Sequence, residues 1–284
     1  VARATRPPLY ELVLRLPNTA SELENKLGLD VNDNLTRSRA ARAGFSKSFV
    51  SSQNRLVERH DALYGAYWKS YDFRKGSTKG DLIQFPLGPD PGPGDAAIFK
   101  DFAFRHDGGE MIFSLPNGMQ GYYLSTAQGE RLLVGPTSIV SYRNKPIGKG
   151  VEIENARSCF DCHENAIITK TDELRKFIES SNRFDRDQRD ALLGMYVPAE
   201  DMQEYYAKDA SAFLSAMSQL GLTEPSASGM SVSLRGPGPA GVAPRARVRT
   251  CSSRRTAPTA PTSCTRAGGP WCPRRSRRRR SSGC

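Results

Sequence analysis

The sequence has few cysteines in its first 230 residues, and it has no long apolar run. Only two cysteines occur there, so the second cysteine pair that often completes a structural zinc site is absent. No run of about 18 apolar residues occurs, which predicts that no segment of the chain spans a membrane. No signal peptide is visible, and the chain opens on Val1 rather than on methionine. We therefore expect a processed or truncated product.

Acidic residues are absent after Glu224, and this absence explains the high net charge. The whole chain has 41 basic and 30 acidic residues, and 13 of the arginines lie between Arg235 and Arg280. Residues 1–230 thus hold 28 basic against 30 acidic groups, a formal charge of −2. The excess of basic residues lies in the C-terminal segment. The rest of the chain therefore lacks the basic charge that would indicate a nucleic-acid partner.

The two cysteines lie in one short motif. Cys159, Cys162 and His163 form a CxxCH run, which is the spacing typical of covalent c-type haem attachment. In such a site the thiols bond to the vinyl groups of the porphyrin, and the imidazole is the proximal ligand of the iron. A zinc site and a redox dithiol use the same residue types and stay open as alternatives. Haem c is the predicted cofactor.

Residues 1–84 are predicted to form a helical N-terminal region. Ser21 and Glu24 have the spacing of a capping box, and Gly28 suits the end of that helix. Aromatic residues at i, i+3, i+4 and i+7 predict one face of a further helix; they are Tyr64, Tyr67, Trp68 and Tyr71. Three arginines either contact haem propionates or form a solvated helix face; they are Arg37, Arg39 and Arg42.

Residues 85–150 are predicted to hold a connector and then a small antiparallel β-meander. Prolines and glycines at 85–95 exclude a regular element there. Strands are expected at 110–115, 121–126 and 131–134. Asn-Gly and Gln-Gly pairs between them supply the positive φ that tight turns require.

Residues 151–225 are predicted to form a cytochrome c-like, helical haem-binding region. An irregular segment is expected before the CxxCH motif. After it, Thr171, Asp185 and Pro198 mark the starts of three helices, and Gly221 marks the end of the last. The expected fold class is therefore α+β: mainly helical, with the small meander before the haem-binding segment.

Residues 226–284 are predicted to form a disordered C-terminal tail. Pro, Gly, Ala, Ser, Thr and Arg dominate there, and no hydrophobic periodicity remains, so no packed core is expected. Arginine without lysine or acidic residues is typical of GC-rich DNA translated out of frame. A functional basic tail is the alternative.

Four stretches of the sequence resemble one family of proteins. They are YGAYWKSYDF at 64–73, FSLPNGMQGYYL at 113–124, GPTSIV at 135–140 and SCFDCH at 158–163. In this order they resemble exported bacterial proteins with a single c-type cytochrome motif. The resemblance implies a haem-binding protein of the periplasm or cell surface, attached through Cys159 and Cys162 with His163 as proximal ligand. Small soluble cytochromes c share only the motif.

The expected function is one-electron transfer. A covalently held haem with a filled sixth position passes electrons without binding a substrate. We therefore expect an electron carrier rather than an enzyme, with redox proteins as its partners. A haem-dependent peroxidase or small-molecule oxidoreductase is one alternative, and a zinc-binding structural module is another.

The distal iron ligand is predicted to be Met202. A thioether ligand raises the potential of a haem, as suits an electron carrier, and the separation from His163 lets the chain fold over the other haem face. Met195, His60, His106 and an open position are the alternatives, because methionine also fills gaps in protein cores.

Overall fold

Helices open the part of the chain that the structure describes. The computed structural model describes residues 6–51, 53–90, 100–142 and 150–222. The first three helices are Leu9–Val13 (α1), Ala20–Lys26 (α2) and Val31–Thr36 (α3). Thr19 and Glu22 form a capping box at the start of α2, two residues before the predicted pair, and Gly28 follows the helix with φ of 71°.

A six-stranded antiparallel sheet dominates the fold, so the prediction of a mainly helical protein is wrong. Its strands are adjacent in chain order: they are Ala41–Phe45 (β1), Arg55–Ala62 (β2), Gly65–Asp72 (β3), Gly108–Ser114 (β4), Gln120–Thr126 (β5) and Arg131–Leu132 (β6). The last three confirm the predicted meander. The first three lie in the region 1–84, which is predicted to be helical.

Strand β3 replaces the predicted aromatic helix. Tyr67 and Tyr71 lie on one face of the sheet and Trp68 on the other, since side chains alternate along a strand. All three are buried, whereas Tyr64 precedes the strand and is exposed. Both faces of β3 are covered, so its sequence lacks the alternation of apolar and polar residues that identifies a half-exposed strand.

The remaining elements surround the CxxCH motif and complete the described part of the chain. Val134–Gly135 (β7) pairs with Ile153–Glu154 (β8), and a short 3-10 helix covers Lys100–Phe102. Four helices follow: Arg157–Cys162 (α4), Arg175–Ser180 (α5), Arg186–Met195 (α6) and Ala199–Gln219 (α7). Asp185 caps α6 and Pro198 precedes α7, which confirms two of the predicted helix starts.

Helices cover both faces of the sheet. On one face, Leu23 and Leu27 of the α2 region pack with Tyr67, Met111 and Tyr123 of the strands. Leu174, Ile178 and Leu192 from the α5 and α6 region pack with Leu56 and Tyr71.

On the other face, Met202 and Tyr206 of α7 pack with Ala43, Ala66 and Trp68. None of the helices in the described ranges combines the length and apolar character needed to cross a bilayer. The predicted tail from residue 226 onward lies outside the described residues.

Candidate functional site

The CxxCH motif lies on helix α4 and on the turn that ends it. Helix α4 follows strand β8 after two residues, Asn155 and Ala156, whereas the sequence predicts an irregular segment there. The Ser158 hydroxyl accepts a hydrogen bond from the Glu154 N–H at 3.0 Å, which fixes the strand to the first turn of the helix. Cys159 and Cys162 are three residues apart on α4 and therefore lie on neighbouring positions of one helix face. Both are half-buried, and neither forms a disulfide within the described residues.

His163 ends the motif with its ring held in one orientation. Its Nδ1 atom lies 3.0 Å from the Ala166 carbonyl oxygen, and since a carbonyl only accepts, Nδ1 carries the proton and donates. Nε2 therefore keeps its lone pair. Burial lowers the pKa of His163 to about 4, so the imidazole is neutral at physiological pH. A neutral imidazole whose other nitrogen donates to a carbonyl is the usual state of a metal-ligating histidine.

Cys162 and His163 line a cavity between the sheet and the segment that follows α4. The cavity measures about 100 Å³ and opens to solvent. Apolar side chains form most of its walls, contributed by the sheet and by the 163–170 segment. They are Phe45, Phe49, Val50, Val57, Trp68, Ile112, Ile167 and Ile168.

The register of strands β1 to β4 builds the floor of this cavity. Phe45 pairs with Arg55, Val57 with Ser70, and Trp68 with Ile112. Residues paired across an antiparallel ladder lie on the same face of the sheet. The pairing therefore brings side chains from four strands to one surface beneath His163.

A charged cluster lies within this otherwise apolar floor. The Arg55 guanidinium donates from Nε to Asp72 at 2.5 Å and from Nη1 to Glu110 at 3.1 Å. The Ser70 hydroxyl donates to Asp72 at 2.9 Å and accepts from the Glu110 N–H at 3.0 Å. Arg55 Nη2 is buried and has no hydrogen-bond partner among the described residues. Arg55, Ser70 and Glu110 all line the cavity.

Lys170 lies at the cavity with its ammonium group over two aromatic rings. Its Nζ atom is 4.5 Å from the centre of the Phe49 ring and 5.6 Å from that of Phe45. Phe49 is exposed. No ion pair of Lys170 occurs in the part of the chain that the structure describes, so its charge is available to an acidic group of a ligand.

The structure brings together two of the three predicted attachment residues at the cavity. Cys162 and His163 line it, whereas Cys159 packs with Phe160 against the cluster formed by α1 to α3 and the strands. Burial raises the pKa of Cys159 well above its ordinary value, so this thiol is protonated at neutral pH.

The predicted distal ligands lie elsewhere in the described structure. Met202 is buried against Trp68 and Tyr206 and does not line the cavity. Met195 packs in the core between α6 and the sheet. His60 uses both ring nitrogens, accepting from Asn34 at Nδ1 and donating to Glu58 from Nε2, and His106 packs edge-on against Tyr71. Ligation by Met202 stays a prediction.

The three arginines proposed as propionate contacts form ion pairs within the protein. Arg37 and Arg39 both pair with Asp33. Arg42 is completely buried and pairs with Glu58 at 2.6 Å. None of the three lines the cavity.

Sequence reasoning missed the polar residues of the cavity. Arg55 and Glu110 are 55 positions apart and meet only because β2, β3 and β4 are neighbours in the sheet. No short motif links them. Lys170, which lies seven residues after His163, is the only one of the three near enough in sequence to have been considered.

Comparisons of the chain with protein-family models, with curated proteins and with solved structures found no match. The described residues contain no group of three or more His, Cys, Asp or Glu side chains arranged to hold a metal ion. A zinc site built from the motif therefore gains no support from the geometry.

Proposed function

We propose that the chain binds one haem c covalently through Cys159 and Cys162, with His163 as the axial ligand. The observation that carries this proposal is the orientation of His163, whose Nδ1 donates to Ala166 and whose Nε2 keeps a free lone pair in a chain segment lining the cavity. The haem would supply one-electron chemistry when bound. All other contributions to the site come from side chains of the protein.

The lining of the cavity suits the apolar part of a cofactor, since ligand pockets are formed mainly by apolar and aromatic side chains. Val57, Trp68 and Ile112 offer apolar contact and exclude water from one side. Lys170 is the cation available for a propionate, because its charge has no ion pair among the described residues.

One-electron transfer to redox proteins outside the cytoplasm is the function we propose for such a site. A haem fixed by two thioether bonds stays with the protein through repeated oxidation and reduction. Its surroundings then set how readily an electron leaves.

A small-molecule oxidoreductase is the second candidate, and the Arg55–Glu110 pair favours it. Haem enzymes of this class need a displaceable ligand position and a polar group close to it. Arg55 and Glu110 line the same cavity as His163. Binding of carbon monoxide by the reduced protein is expected for this candidate, whereas an electron carrier with two tightly held protein ligands resists it.

Covalent attachment is tested by staining a denaturing gel for haem peroxidase activity. The protein is expressed in a host with c-type haem maturation, and we expect one stained band at the mass of the chain. Cys159→Ala and Cys162→Ala should each weaken the stain strongly, because each removes one thioether bond. Cys251→Ala, a cysteine outside the motif, is the matched control and should leave the stain unchanged. An unstained wild-type band would refute the proposal.

A further inference from the structure

Helix α1 turns an apolar face to solvent. Leu9, Leu12 and Val13 are 44%, 69% and 62% exposed, and their spacing of i, i+3 and i+4 places them on one side of the helix. In a helix at the surface of a protein, the apolar side normally faces the core and the polar side faces water. The outer face of α1 therefore has the character of a buried face, but nothing in the described residues covers it.

The opposite side of α1 is attached to the fold by specific contacts. The Tyr10 hydroxyl accepts a hydrogen bond from the Tyr122 N–H at 2.7 Å, and the Tyr10 ring packs edge-on against Phe160 with ring centres 6.4 Å apart. Glu11 Oε1 accepts from Asn155 Nδ2 at 2.9 Å. Because these contacts fix the orientation of the helix, the exposure of its apolar face is a property of the folded protein.

Basic side chains border the exposed face. Arg6 precedes α1 and Arg15 follows it, and both are exposed. The Lys26 ammonium group donates to the Arg15 carbonyl at 2.8 Å, which brings a third positive charge to the same end of the helix. None of the three forms an ion pair with another described residue. Glu11 is the only acidic residue before α2, and it is buried.

This combination of aliphatic and basic side chains favours one kind of partner. An anionic membrane surface offers acyl chains to the apolar face and negative headgroups to the basic residues, as in interfacial helices. A second copy of the chain would bring the same basic groups face to face, and like charges across an interface oppose association. The centre of a protein–protein interface is typically rich in aromatic residues, whereas the three exposed residues of α1 are all aliphatic.

We propose that α1 binds the surface of an anionic lipid bilayer. Leu9, Leu12 and Val13 enter the boundary between headgroups and acyl chains, and the basic residues at the ends of the helix pair with lipid phosphates. The inference goes beyond the proposed function and does not depend on haem attachment.

Hydrogen exchange followed by mass spectrometry tests this inference in the full chain. We expect vesicles of phosphatidylcholine and phosphatidylglycerol to slow exchange in the peptide that contains α1 several-fold, because amides at the bilayer lose contact with water. Vesicles of phosphatidylcholine alone should protect it less. The peptide that contains Ile83, another exposed aliphatic residue, should exchange equally with and without vesicles. Reading each peptide separately distinguishes binding by α1 from binding by the arginine-rich C-terminal segment.

Variants at exposed positions identify the side chains responsible. The double variant Leu12→Glu with Val13→Glu places two negative charges on the apolar face and should abolish the protection of α1. Ile83→Glu is the matched control and should keep it. The double variant Arg6→Gln with Arg15→Gln should lower the protection by anionic vesicles, because the apolar face remains and the charge is lost. Slow exchange of the sheet peptides shows that each variant is folded.

Three results would overturn the inference. One is equal exchange of the α1 peptide in wild type with and without anionic vesicles. Another is protection that persists in the Leu12→Glu, Val13→Glu variant. The third is protection that rises with protein concentration in the absence of lipid, which would mean that a second copy of the chain covers α1.

Discussion

Glu58 joins three polar side chains inside the sheet. Its two carboxylate oxygens bond to the Arg42 guanidinium at 2.7 Å, to His60 Nε2 at 2.7 Å and to the Tyr71 hydroxyl at 3.1 Å. Attraction by Arg42 and His60 outweighs the effect of burial and lowers the pKa of Glu58 far below its usual range. The carboxylate is thus charged at all physiological pH values. Arg42 and His60 both bond to it inside the fold.

His106 makes stability depend on pH. Burial and repulsion by Lys69 lower the pKa of His106 to about 4, against the opposing effects of Asp107 and Glu58. The unfolded chain takes up this proton near pH 6.5, whereas the folded chain takes it up only near pH 4. Since the unfolded state binds the proton first, stability falls as the pH falls from about 6.5 to about 4.

His106→Phe should flatten this part of the stability profile. Phenylalanine keeps the edge-on contacts with Tyr71 and Phe104 and has no proton to bind. We expect wild type to lose about 2 kcal/mol more than the variant between pH 7 and pH 4, allowing for the partial exposure of His106. Urea unfolding at several pH values measures the difference. Parallel profiles for the two proteins would contradict it.

Helix α7 is attached to the sheet through one carboxylate. Asp209 accepts from Arg59 Nε at 2.9 Å and from the Trp68 indole N–H at 2.8 Å. Trp68 in turn stacks on Tyr206 of the same helix with ring centres 4.9 Å apart. Trp68 and Tyr206 both line the cavity. The carboxylate therefore fixes one wall of the candidate site.

Asp209→Ala should destabilise the protein by about 3 kcal/mol, because it leaves the buried charge of Arg59 without its main partner. Asp201→Ala, an exposed position in the first turn of the same helix, is the matched control and should cost about 0.5 kcal/mol or less. Urea midpoints of the two variants provide the comparison. Equal midpoints would show that the carboxylate does not attach the helix.

Strand β3 explains why much of the sheet could not be predicted. The aromatic spacing at 64, 67, 68 and 71 fits a helix face, yet the chain is extended, with Tyr67 and Tyr71 on one face and Trp68 on the other. Periodicity identifies an element only where one face is buried and the other is not. The β4–β5 hairpin was predictable, because Asn117-Gly118 supplies the turn and Gly118 has φ of 80°.

At the scale of the whole molecule, the candidate site combines residues from distant parts of the chain. The motif itself could be predicted, since Cys159, Cys162 and His163 are adjacent in sequence. Arg55 and Glu110 reach the cavity through strand register, and of the three histidines, all of them within the described residues, only His163 lines it. Tertiary contacts of this kind leave no local signal in one sequence.

The C-terminal segment, which follows the described residues, is also a feature of the whole molecule. Residues 231–284 are rich in Pro, Gly, Ser and Arg and poor in large apolar residues, so they offer too little apolar surface to offset the entropy of ordering them. We expect their deletion to leave haem content and melting temperature unchanged, while the formal net charge changes from +11 to −2.

The matched control for this deletion is a truncation that also removes α7. Met202, Tyr206 and Phe213 of that helix are buried, so their loss exposes the apolar face of β1 and β3 and should abolish cooperative unfolding. Thermal unfolding followed by circular dichroism compares both truncations with the full chain. A fall of several degrees on removal of residues 231–284 alone would mean that this segment packs against the fold, because a segment without such contacts leaves the free energy of unfolding unchanged.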